Sequence, residues 1–129
     1  MKKLLIFILI IIGGLIMFTK LTNTAEGDYT GIYFDTAGAG NTYPAGITKN
    51  DTFFWITDYY ESIVFKYWAN GSYTLDYFNL TAGNSRPQGI TNNGTFIWVV
   101  NSSLKSSVFK YWQHNGSWTL DSFNTTGPR

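Results

Sequence analysis

Cysteine is absent from this chain, and with it go disulfide staples, thiolate zinc sites, thiol nucleophiles and lipoprotein attachment. Whatever folds here folds by packing alone. Charge is scarce as well: 13% of residues are charged and the net charge is +1, so no electrostatic footprint points to nucleic acid or to an acidic partner. The single histidine, His114, stands beside an Asn115-Gly116 turn and reads as solvated decoration rather than as a ligand or base. What the chain does have is 19% aromatic residues, with polar duty carried by Asn, Thr, Ser and Gly. That balance suits a β-rich extracytoplasmic domain and is too rich in β-formers for disorder.

The amino terminus reads MKKLLIFILIIIGGLIMF, two lysines followed by an unbroken apolar or glycine run from Leu4 to Phe18. As a helix the run would span ~22 Å, short of a ~30 Å hydrocarbon core unless Thr19 and Leu21 extend it and Lys2, Lys3 and Lys20 snorkel. Residues 1–25 are therefore expected to form a signal peptide or a signal-anchor helix. Ala25 suits a cleavage site, but Asn23 sits where a small residue is preferred, so an uncleaved anchor and a secreted product both stay open. In either case Lys2 and Lys3 stay inside and everything after Lys20 goes out.

Beyond that segment the chain repeats itself. YPAGITKNDTFFWIT (43–57) is answered by RPQGITNNGTFIWVV (86–100), VFKYW at 64–68 by the same letters at 108–112, and NGSYTLDYFN (70–79) by NGSWTLDSFN (115–124). The offset grows from one segment to the next, which places the extra residues in connections and not in strands. A partial third copy lies upstream, where GDYTGIYFD (27–35) matches GSYTLDYFN (71–79). Each full repeat holds four short apolar segments separated by turn chemistry, including the Asn93-Gly94 and Asn115-Gly116 pairs whose glycines suit positive φ. Four strands in an antiparallel meander are predicted for each repeat.

Burial can be read from the second segment. Phe96, Trp98 and Val100 point one way, Ile97 and Val99 the other, and the first copy sets Phe53 and Trp55 against Phe54 and Ile56. Both faces are apolar, so each sheet expects a layer on each side. Repeated four-stranded meanders sandwiched between neighbours describe an all-β fold of β-propeller blades. The order Pro-x-Gly-Ile-Thr, Asn-Gly turn, Phe-x-Trp-Val-Val-Asn, Val-Phe-Lys-Tyr resembles the NHL-type repeat of six-bladed propellers, over residues 27–129. It departs at Asn101, since the strand-ending aspartate of that family occurs only at Asp58.

The expected layout is a leader over 1–25, an outer strand of an incomplete blade plus linker over 26–43, and blades over 44–86 and 87–129. Two blades leave apolar faces open, so the repeat array is expected to belong to a larger propeller or to build a ring as a homotrimer.

No catalytic constellation stands out, and no cofactor is expected. Asp76 and Asp121 share one repeat position and so share an environment, unlike a working acid–base pair. Resemblance to gluconolactonase-like propellers, which hold a divalent metal on channel oxygens, would nominate Asp58 and Asn101 as ligands. A sialidase-like turn is echoed at Thr91–Trp98 but places Asn93 where an acidic residue belongs. Seven Asn-x-Ser/Thr triplets, at Asn50, Asn70, Asn79, Asn93, Asn101, Asn115 and Asn124, largely coincide with turns. Aromatic recognition of a glycan or protein is the remaining chemistry: Trp68 and Trp112 end the third strands, and Tyr59 and Tyr60 lie in the loop after a second strand. The expected role is thus recognition or scaffolding at a cell surface, with a metal-dependent hydrolase and a lectin as rivals.

Overall fold

A computed structural model of the chain describes residues 30–103 and 106–126 in full and, as backbone only, Ile6–Ile12 and Leu15–Leu21. The chain divides into two units, Met1–Ile32 and Tyr33–Arg129. In the first, the signal or anchor helix expected over residues 1–25 is not shown. Instead Ile6–Ile12 (β1) pairs antiparallel with Leu15–Leu21 (β2). The other residues of that segment lie outside the described ones. β-Branched isoleucine, five of the seven residues of β1, is stiff at χ1 and favours extended backbone. Among the described residues no helix is long and apolar enough to cross a membrane.

The second unit is all-β and holds two four-stranded antiparallel sheets. The first runs in chain order through Pro44–Lys49 (β3), Phe53–Asp58 (β4), Ile63–Trp68 (β5) and Tyr73–Asn79 (β6). The second does the same with Pro87–Asn92 (β7), Phe96–Asn101 (β8), Ser107–Trp112 (β9) and Trp118–Asn124 (β10). Asparagine makes the turns by its side chain: Asn50 Oδ1 accepts from the N–H groups of Thr52 (2.9 Å) and Phe53 (2.8 Å), and Asn93 Oδ1 from Thr95 (3.0 Å) and Phe96 (2.9 Å). In the Asn93-Gly94 and Asn115-Gly116 pairs the positive φ falls on the glycine, Gly94 at 90° and Gly116 at 69°. The fourth strand of each sheet carries a bulge, and there a leucine takes the left-handed region, Leu75 at φ 67° and Leu120 at φ 66°.

The alternation along β4 and β8 decides the packing. Trp55 and Val64 of the first sheet meet Ile97, Val99, Phe109 and Tyr111 of the second in one buried cluster. Each such side chain contributes about 1.5–3 kcal/mol by leaving water. The opposite face of the first sheet, with Ile56, Phe65 and Tyr67, is covered by Phe34 and Ala39. These come from the stretch expected to hold an outer strand over 26–43. Its described part contains no strand before Pro44, only a 3-10 turn at Ala37–Ala39, because no neighbouring strand offers it a ladder. Phe34 nonetheless takes a repeat-equivalent place. Its ring lies 5.5 Å from Tyr67, as that of Phe78 lies 5.6 Å from Tyr111.

Candidate functional site

Strand direction sorts the candidate residues to opposite ends of the sheets. Phe53 pairs with Trp68 and Phe96 with Trp112, so both tryptophans stand where the Asn50 and Asn93 turns lie. Tyr59 and Tyr60 follow Asp58 at the far end of β4, roughly 17 Å away along a six-residue strand. The four aromatic residues nominated from the sequence therefore form two sites, not one.

At the tyrosine end the organiser is Asp58. Its buried carboxylate accepts backbone N–H groups from Tyr43 (3.0 Å), Tyr60 (2.9 Å) and Glu61 (2.9 Å). Asn101, its repeat counterpart, accepts from Arg86 and Ser103 N–H (both 3.2 Å) while its Nδ2 donates to the Gly83 carbonyl (2.8 Å) and Ser103 Oγ (2.6 Å). Both suggested metal ligands are thus engaged as loop caps. Among the described residues no group of three or more His, Asp or Glu side chains could hold a metal ion. The capped loop displays Tyr60 edge-on to Tyr43 (4.5 Å between ring centres) and to Tyr59 (5.0 Å). Tyr43 was missed in the sequence because it lies far from the other two along the chain; the signal was its place just before Pro44, which pairs with Asp58.

The tryptophan end holds a cleft of about 330 Å³ between the sheets. Asn50, Phe53 and Lys66 line it from the first sheet, Trp112, Gln113 and His114 from the second. Lys66 Nζ sits 4.3 Å above the Phe53 ring and 3.2 Å from Asp76, which fixes the ammonium at the wall. The Trp112 ring packs at a tilt against Phe96 (4.6 Å between ring centres) and His114 (5.9 Å), and 38% of its surface stays exposed. Beside the cleft, a void of about 20 Å³ lined by Trp55, Lys66 and His114 reaches Gln113, whose buried Oε1 has no protein partner. That space suits one water molecule. Trp68 stacks on Phe53 at 4.8 Å and does not line the cleft, so the repeat-equivalent tryptophans differ in use. His114, read from the sequence as decoration, does line it.

Two tyrosines tune the surroundings rather than the cleft. Tyr111 is wholly buried and its hydroxyl accepts from Thr81 N–H and Asn84 Nδ2, both at 3.3 Å. Burial pushes its pKa above the ordinary phenol value, partly opposed by those hydrogen bonds, and Tyr67 is raised for the same reason.

Fold and site together define an all-β protein of two repeat-related antiparallel sheets with a polar and aromatic cleft between them. No protein-family model and no curated protein matches this chain.

Proposed function

We propose that the chain is a propeller-type recognition segment, displayed outside a membrane, which holds a glycan in the cleft between its two sheets. The observation that carries the reading is the composition of that cleft: Trp112, Lys66, Asn50 and Gln113 together line about 330 Å³. Aromatic faces accept the C–H side of a pyranose, and amides and ammonium groups bond its hydroxyls; pockets of ~300–1,000 Å³ hold ligands of that size. The propeller reading is supported by the hydrogen bonds from Asn92 Nδ2 to Thr48 Oγ1 (2.8 Å) and the Lys49 carbonyl (3.1 Å), which join β7 to β3 as neighbouring inner strands. Display at a cell surface rests on the lysine-led apolar run at the amino terminus.

A glycan array probed with the full chain tests the proposal. Signal lost in Trp112→Ala and kept in Trp68→Ala supports it; a chain that binds no glycan, or binds equally well without Trp112, overturns it. Elemental analysis speaks to the metal-hydrolase rival, since stoichiometric calcium or zinc in the purified protein would replace the recognition reading. Membrane fractionation with protease protection checks the display.

A further inference from the structure

The interface between the two sheets is written in repeat-equivalent positions, and the same positions recur on the outer face of the second sheet, where among the described residues no further sheet lies against them. Trp55 is 2% exposed and Val64 wholly buried where the second sheet covers them. Their counterparts Trp98 and Val108 line an apolar hollow of about 390 Å³ together with Gly89, Ile90, Val100 and Phe123. Val108 is 9% exposed, but Val100 is 39% and Phe123 58% exposed.

Two local features show what that hollow is shaped for. At Gly46 on β3 a methyl group would collide with the Gln88 carbonyl of β7, so glycine is required there by the neighbouring sheet. Gly89 is the same position on β7, and there a methyl group would meet only Val100 of its own sheet, at 3.6 Å. Nothing within the described fold asks for that glycine. The second feature is a knob and hole: Phe34 fills the space over Gly71 and Phe78 the space over Gly116. Phe123, next in the series, is the exposed knob.

We propose that the outer face of the second sheet is a docking surface for a third four-stranded sheet of this same repeat. The occupant presents a face like Ile97, Val99, Phe109 and Tyr111, with a glycine to receive Phe123 and an inner strand passing close to Gly89. The first sheet of a second copy does not fit, because its equivalent face is already covered by its own Phe34 and its Gly71 is filled. The inference is independent of any ligand in the cleft.

The test is the full chain extended after Arg129 by a second copy of residues 84–126, which keeps the connecting segment near its native length. Docking of the added sheet slows amide exchange across β7 and β8 by roughly tenfold or more and raises the melting temperature. Gly89→Ala supplies the geometric control. It leaves the unextended chain unchanged but lowers the melting temperature of the extended chain by as much as Gly46→Ala lowers that of the unextended one. An added repeat that stays disordered overturns the proposal, as does a Gly89→Ala that is neutral in both chains. So does an unextended chain that dimerises in light scattering and is made monomeric by Val100→Asp, since that result gives the face to a second copy.

Discussion

Replacing Asp58 by alanine removes the acceptor for three backbone N–H groups at once, those of Tyr43, Tyr60 and Glu61. A hydrogen bond to a charged group contributes about 1.5–3 kcal/mol, and water will recover part of the loss because Tyr60 lies at an exposed loop. The expected cost is about 3–5 kcal/mol, a large part of the ~5–15 kcal/mol available to a domain. The repeat supplies its own controls. Asp58→Asn installs the residue used at position 101, yet its Nδ2 must face one of the same three donors, and about 2 kcal/mol is lost. Asn101→Asp fails for the converse reason: its Nδ2 donates to the Gly83 carbonyl at 2.8 Å, and a carboxylate oxygen there meets another acceptor. Urea unfolding of the three variants gives the stabilities, and near-ultraviolet circular dichroism reports whether the edge-on Tyr43–Tyr60–Tyr59 cluster persists. If Asp58→Ala unfolds within about 1 kcal/mol of the parent with its tyrosine signal intact, the carboxylate does not organise the loop.

Alkaline pH destabilises this fold beyond ordinary charge repulsion. Tyr111 and Tyr67 hold their protons more tightly when folded, so their contribution is complete below the unfolded value near pH ~10 and is lost as pH climbs toward the raised folded values. Urea midpoints across that range, with absorbance at 295 nm, should show a last fraction of the nine phenols ionising only together with unfolding; ionisation of all nine in a fully folded chain refutes it. Leu75→Asn and Leu120→Asn relieve left-handed leucines on the exposed bulges and should each stabilise by about 1 kcal/mol in thermal melts, whereas an unchanged melt denies the strain. Phe78→Ala empties the space over Gly116 and beside Tyr111, for about 3 kcal/mol; a smaller loss than for the exposed Phe123→Ala would mean the knob is not seated.

Much of the architecture was legible because the signals were local or repeated. Turn asparagines and two-sided apolar strands gave eight strands and two sheets. The left-handed leucines were hidden, since Leu75 and Leu120 sit in a strand pattern that looks regular and only the bulge displaces them. The amino-terminal hairpin was obscured for another reason: an isoleucine-rich run satisfies both a membrane helix and a strand, and periodicity cannot separate them. At the sites, Trp112 and the loop tyrosines were visible as residue types. Their division between opposite ends followed from register, which composition does not carry, and Lys66 and Gln113 joined the cleft only through contact between sheets.

The Phe-over-Gly contact also bears on how such a chain can grow and how it melts. Each repeat carries the knob for the repeat after it and the hole for the one before, so half of every interface is encoded on each side of the copied unit. A duplicated segment therefore arrives already matched to both of its new neighbours. For the same reason neither sheet is a self-contained folding unit: loss of β6 withdraws Phe78 from the second sheet, and the two sheets should melt in one step.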